Sequence, residues 1–269
     1  MTTLVQLKHG YDQAGNRLYR RDEVARTNSA SYDELYGYDN LNRLTSFDRG
    51  QLGSGNTSLS SGPTLNQGWT LDPLGNWSGF TQTVQEALTQ TRAHNTTNEL
   101  TYIGETVGMH WSVPEYDANG NTVRWPRPSS GEDEDLGVYD AWNRLVKVQR
   151  FLTVAEYQYD GLNRQTIKEA NSVTRHYYHS DQWQVLEERT GSSTSADRQY
   201  LWGERYVDDL IFRDHSSTRL YALTDALFNV VAMTDDDGAV VERFAYQPYG
   251  QSEVMQVWFN VFVLFETSL

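Results

Sequence analysis

Tyr159-Asp160-Gly161-Leu162-Asn163-Arg164 is the stretch whose reading decides the fold, because its outline returns along most of the chain. Its relatives are Tyr11-Asp12-Gln13-Ala14-Gly15, Tyr38-Asp39-Asn40-Leu41-Asn42, Leu71-Asp72-Pro73-Leu74-Gly75, Tyr116-Asp117-Ala118-Asn119-Gly120, Tyr139-Asp140-Ala141-Trp142-Asn143 and Tyr246-Gln247-Pro248-Tyr249-Gly250. The fifth position is Gly or Asn each time, the residues that best tolerate a positive φ. An Asp opening a type I turn accepts a hydrogen bond from an amide two residues on, and Pro suits the next position, where Pro73 and Pro248 stand. A type I turn followed by a left-handed residue makes a three-residue hairpin loop. Each unit therefore reads as strand, Tyr-Asp, tight turn, strand.

Working outward, the chain is expected to be all-β, an array of antiparallel hairpins forming a curved or spiralling sheet. The step from Tyr139 to Tyr159 is 20 residues, and Tyr178 follows 19 later, a spacing that suits one hairpin and a short connection stacked on its neighbours. Leu145-Val146-Lys147-Val148-Gln149-Arg150-Phe151 shows the alternation of a strand with one wet face. Two insertion loops are expected: about 48–68, rich in Gly, Ser, Thr and Asn, and about 126–137, which holds Glu132-Asp133-Glu134-Asp135. Thr81 to Leu100 reads as strand, although Val84 to Leu88 also fits a short helix.

The 269 residues carry 22 basic and 36 acidic side chains, a net charge of −14. That balance argues against nucleic-acid binding, which needs clustered Lys and Arg. With 17 Tyr and 8 Trp, the core is expected to be built largely from rings on a pleated surface. No Cys is present, which removes disulfides, thiolate metal sites and a Cys nucleophile. The start, Met1-Thr2-Thr3-Leu4, has no signal-peptide pattern, so export, if it occurs, relies on another segment or a dedicated machine.

The repeated stretches resemble the YD repeats of the RHS family, large proteins of bacterial surfaces and toxin systems. The resemblance covers roughly residues 10 to 250 and is most specific over 198–250. There a strand ending Trp202-Gly203, then Asp208-Asp209, Asp225-Ala226-Leu227-Phe228-Asn229 and Pro248-Tyr249-Gly250 follow in the order of the entry to the RHS-associated core. Phe228 departs from the pattern, standing where Gly is usual, and a distorted hairpin is expected there. The family also continues past this point into a segment rich in Arg, Asp and Tyr. Here residues 251–269 diverge into the apolar run Val254 to Phe265, which reads as a truncated or out-of-frame end. At about twelve residues it is too short to cross a bilayer, for which roughly twenty are needed.

No catalytic, cofactor or metal site emerges. His176 and His179 are an odd number of positions apart, which on a strand puts them on opposite faces. Aligning Gly238 with the glycine of a calcium loop places Met233 and Phe244 at its ends, where acidic ligands are required. Asp208 and Asp209 are adjacent and, read as strand residues, diverge. No serine elbow, phosphate loop or zinc helix appears, and three Asn-x-Ser/Thr matches at Asn56, Asn76 and Asn95 carry little weight.

By resemblance, the chain is expected to be a non-catalytic wall segment helping to enclose a C-terminal toxin polypeptide, with other shell segments as partners and a secreted or surface location. Two readings stay open beside it: a carbohydrate or cell-surface binding module using Trp77, Trp142 and Trp183, and a remnant of a longer gene. The self-cleaving aspartyl activity that the resemblance attaches to the end of the core belongs to the segment not found here.

Overall fold

The computed structural model describes residues 3–255, which divide into two compact units, Gln6–Ser172 and a second made of the described residues before Gln6 and from Val173 onward. In the first unit, eight strands pair in chain order: β1 (Leu7–Tyr11), β2 (Arg17–Asp22), β3 (Asp33–Tyr38), β4 (Leu44–Gly50), β5 (Leu65–Leu71), β6 (Trp77–Gln82), β7 (Leu88–His94) and β8 (Leu100–Val107). Six more, β9 (Glu115–Tyr116), β10 (Thr122–Pro126), β11 (Glu134–Tyr139), β12 (Leu145–Gln149), β13 (Thr153–Tyr159) and β14 (Gln165–Ala170), pair in chain order in another sheet of the same unit. The second unit holds β15 (Val173–His179), β16 (Val185–Thr190), β17 (Arg198–Trp202), β18 (Leu210–His215), β19 (Thr218–Thr224), β20 (Val230–Thr234), β21 (Val240–Tyr246) and β22 (Ser252–Met255). All pairings are antiparallel, and within each sheet neighbours in sequence are neighbours in space.

Rings dominate one core cluster of the first unit. Phe47, Leu65 and Trp69 are buried, with Tyr36, Leu44, Leu71, Trp77 and Phe80 packed around them. Trp69 lies 5.8 Å from Trp77 and 6.1 Å from Phe80, centroid to centroid, in tilted arrangements. Full burial of a side chain such as Phe47 is worth about 1.5–3 kcal/mol, and tilted ring pairs add about 0.5–1.5 kcal/mol. The second unit differs from the expected ring-built core: its cluster is mainly aliphatic, with Leu220, Met233 and Phe244 buried and Ala222, Val230, Val241 and Tyr246 packed around them.

Charge is also buried. Glu34 on β3 lies between Arg20 on β2 and Arg49 on β4, at 3.1 and 3.0 Å, and all three are nearly inaccessible. The Tyr36 hydroxyl donates to the second oxygen of the same carboxylate at 2.5 Å. Burial, then the charge of Glu34, pushes the Tyr36 phenol far up. Losing one partner of such a buried set costs about 3–5 kcal/mol, because the remainder stays desolvated.

Several connections differ from the sequence reading. The first insertion loop contracts to 51–64, because Arg49 pairs with Leu65 and Asp48 with Asn66, so polar residues extend both strands. The second contracts to 127–133. Glu134 opens β11, and Asp135 is buried against Arg150, so half of the acidic run is a strand with an ion-pair partner, not a solvated loop. Val84 to Ala87 is a connection in which Gln85 takes φ 68, without helix. The helix lies elsewhere: α1 (Glu23–Thr27) follows β2, capped by Asp22, whose carboxylate accepts from the Ala25 amide at 2.9 Å. Of the divergent end, Ser252–Met255 forms β22; the rest of the apolar run lies outside the described residues.

Candidate functional site

In an antiparallel sheet, alternate connections fall at the same edge. The Tyr-Asp turns take one edge of their sheet and the variable connections the other. The tips share one hydrogen-bond pattern. In Asp39 to Arg43, the Asp39 amide donates to the Arg43 carbonyl and the Asn42 amide to the Asp39 carbonyl, both at 3.0 Å. Asn42 sits at φ 60. Asp39 Oδ1 accepts from the Leu41 and Arg43 amides, and Oδ2 accepts from Arg43 Nε at 2.7 Å. One carboxylate thus closes the loop from inside.

The same arrangement recurs at Asp12, Asp72, Asp117, Asp140 and Asp160, each accepting from the amides two and four residues on. Gly15, Gly75 and Gly120 and Asn143 and Asn163 take the left-handed position, with φ between 59 and 93. Hydrogen bonds from the residue four on hold the Asp12, Asp39, Asp72 and Asp117 carboxyls below their ordinary range. At Asp140 and Asp160 burial is the largest influence and pushes upward, yet the bonds from Arg144 and Arg164 outweigh it. Gln247 to Gln251 keeps the backbone bonds, with Gly250 at φ 88.

The residue after the left-handed position, which the sequence reading did not single out, ties one tip to the next. Asn16 Nδ2 donates to Asn42 Oδ1 at 2.7 Å, Asn76 Nδ2 to Asn98 Oδ1 at 3.0 Å, and Asn121 Nδ2 to Asn143 Oδ1 at 3.0 Å. Where Arg replaces Asn, it reaches the next turn as well: Arg43 to the Asp72 carbonyl at 2.7 Å and Arg144 to the Asp160 carbonyl at 3.2 Å. The tyrosine before the Asp ties backward. Tyr38 Oη donates to the Arg17 carbonyl, Tyr139 to Thr122, Tyr159 to Leu145 and Tyr246 to Val230, at 2.7–3.1 Å. Tyr116 Oη instead accepts from the Leu100 amide, and Tyr11, on the first hairpin, is half exposed. Units such as those of Tyr38-Arg43 and Tyr139-Arg144 therefore grip the preceding hairpin through Tyr and the following one through the residue after the left-handed position.

Variants keep the geometry with other residues. Ser180 replaces Asp in a turn that places His179, not Tyr178, at the tyrosine position, so Tyr139, Tyr159 and His179 follow at equal steps of 20. Asn95 opens another turn, closed by Asn98 at φ 64. Phe228 takes φ 63 and its amide still reaches the Asp225 carbonyl at 3.1 Å, so that hairpin is regular, and the half-buried ring stacks on Tyr206. Asp235 to Gly238 is another such turn, at the opposite edge of its sheet. Asp208 and Asp209 lie in a loop and not in a strand, where Asp209 is buried and held bidentately by Arg205.

Among the described residues, no three His, Cys, Asp or Glu side chains gather as metal ligands, and no helix is long and apolar enough to cross a membrane. Trp142 is exposed at the tip of its turn, whereas Trp77 packs in the core.

These features define an all-β hairpin array whose units are joined tip to tip by Tyr-Asp turns. The chain belongs to the Teneurin YD-shell family, whose profile matches residues 2–255. Solved structures share the fold. The Photorhabdus luminescens Tc holotoxin pore with a substituted TccC3 aligns over 93% of this chain at 17% identity and a TM-score of 0.63. TcdB2-TccC3 with Cdc42 aligns over 93% at 17% and 0.64, and TcdB2-TccC3 over 93% at 16% and 0.63. The chain spans 13–14% of the length of those chains. No curated protein matches it.

Proposed function

We propose that this chain is a non-catalytic section of a shell wall that helps to enclose an effector polypeptide, with further shell segments as its neighbours. The carrying observation is the two-way tie at the hairpin tips. Tyr159 grips the preceding strand while Arg144 grips the turn that follows its own, so side-chain chemistry is spent on holding hairpins at a fixed spacing. The carboxylates of the turns are saturated by their own loops, which leaves them poorly suited to proton transfer. Membership in the YD-shell family and the fold shared with TccC3-containing toxin assemblies support the same reading.

Limited proteolysis with mass spectrometry, on the natural polypeptide that carries this chain, tests it. The wall strands and an enclosed segment are expected to resist cleavage together, and to become sensitive together on denaturation. Guest segments cleaved at the same rate before and after denaturation would overturn enclosure. Self-cleavage into defined fragments that Asp209→Asn abolishes would overturn the non-catalytic assignment.

A further inference from the structure

Residues directly opposite each other in an antiparallel pair share a face of the sheet. Trp69 on β5 stands opposite Phe80 on β6, Phe80 opposite Gln90 on β7, and Gln90 opposite Glu105 on β8, so one row crosses four strands on the side of the ring cluster. Two residues along β7, on the same side, comes Arg92, opposite the buried Ile103. Arg92 is half-buried, and its Nη2 donates to Gln90 Oε1 at 2.7 Å. Among the described residues it forms no ion pair. Arg20 and Arg49, by contrast, share Glu34, and Arg150 holds Asp135. Burial alone keeps the Arg92 guanidinium below the ordinary arginine range, with no carboxylate pulling it back. Glu105 does not serve, because His110 Nδ1 and the Trp111 amide occupy its two oxygens, both at 3.0 Å. The Trp77 ring, 5.2 Å from the guanidinium, attracts the charge but is no acceptor for its N–H groups.

Two donors at this place are buried without an acceptor, Arg92 Nε and Gln90 Nε2. Gln90 is only 2% exposed. Its amide cannot be turned round, since Nε2 would then face the Arg92 donor. With Oε1 toward Arg92, Nε2 of the same amide stands beside the guanidinium. Unopposed charge and unmet donors both cost free energy that an arriving acceptor recovers.

We propose that Arg92 and Gln90 form a binding site for a single carboxylate group, carried by an organic acid or by an acidic side chain of a polypeptide. One negative charge balances the one cation, and two oxygens accept from the guanidinium and the amide together. A phosphate carries nearly two charges and calls for a second cation, whereas Trp69, Phe80, Ile103 and Glu105 supply none. An anion coming in beside the half-buried Arg92 meets the guanidinium first and the amide next to it. The rings and Ile103 suit a carboxylate with an apolar body.

The test follows melting temperature and calorimetry of the purified chain in benzoate, in a peptide blocked at both ends with one Glu, in the same peptide with Gln, and in phosphate, each against chloride at equal ionic strength. Benzoate or the Glu peptide is expected to raise the melting temperature, the Gln peptide and phosphate to leave it unchanged. Tighter binding of benzoate assigns the site to an organic acid, and tighter binding of the Glu peptide to an acidic side chain. Arg92→Met is expected to abolish the rise, and in chloride to melt no lower than the parent, because the unopposed charge is gone. Gln90→Leu is expected to weaken binding by about tenfold, the equivalent of one hydrogen bond to a charged group. A rise that survives Arg92→Met, one matched by phosphate, or no response to either carboxylate would overturn the proposal. So would unchanged affinity in Gln90→Leu, or an Arg92→Met protein melting well below the parent in chloride, which would show that the guanidinium is already satisfied where it lies.

Discussion

Asn121 Nδ2 stands 2.8 Å from its own turn's Asp117 Oδ2 and 3.0 Å from Asn143 Oδ1 of the next hairpin, so one amide group serves two turns. Because both bonds end on that one group, Asn121→Ala is expected to lower unfolding free energy by about 1–2 kcal/mol, two exposed to half-buried hydrogen bonds. Asn121→Asp is expected to do worse, since a carboxylate cannot donate and stands beside Asp117. Urea denaturation of the three proteins checks the order, and an Asn121→Asp protein as stable as the parent would refute the tie.

The left-handed position makes a separate prediction. Asn163 takes φ 66, where a β-branched side chain meets its own backbone. Asn163→Val is expected to cost about 1 kcal/mol or more, and Asn163→Gly to be nearly neutral. Arg144 Nη1 lies 3.3 Å from Asn163 Oδ1, so Asn163→Gly also loses that contact. Thermal melts of the pair that came out in the opposite order would discard the turn assignment.

Acid should unfold this protein early. Asp12, Asp39, Asp72, Asp117, Asp140 and Asp160 all titrate below their ordinary value in the folded chain. Once the pH falls below about 4, the unfolded chain takes up protons that these folded carboxylates refuse. Their contribution is therefore complete above that value and is lost as pH descends through the folded range. Asp48 and Glu242, raised mainly by burial, act in the opposite sense but are outnumbered. Melting temperature is expected to drop steeply between pH 4 and pH 3, as a rough window set by the ordinary carboxylate values. Asp160→Asn should flatten the drop, and a melting temperature constant to pH 3 would contradict it.

What could be read from the sequence was whatever the backbone dictates by itself. A positive φ narrows the choice to few residues, so Gly15, Asn42 and Gly120 marked their turns without any partner. The ties were not legible, because Asn76 and Arg144 look unrelated until both are seen donating to the next tip. Trp183 and Phe228 broke the rule that made the other turns visible, and Ser180 hid the unit in which Trp183 sits. The five residues of α1 are too few for periodicity to register. The burial of Glu34, Asp135 and Asp209 was not legible, because the arginines that permit it are brought to them by the sheet or the loop.

One turn inverts the chemistry of the rest. Asn95 stands where the others carry Asp, and Glu99 where they carry Asn or Arg, so the amide now donates from the first residue to the carboxylate of the last, at 2.6 Å. The bond across the loop survives with its polarity reversed, while the donor that would reach forward is gone. This happens at the last hairpin before the chain passes from one sheet of the first unit to the other. Asn95→Asp alone sets two carboxylates against each other and is expected to destabilise by about 1 kcal/mol. Adding Glu99→Asn restores the arrangement of Asp72 with Asn76 and should recover that loss. A double-mutant cycle by urea denaturation measures the coupling; additive losses would show that the exchange of charge within this turn carries no energy.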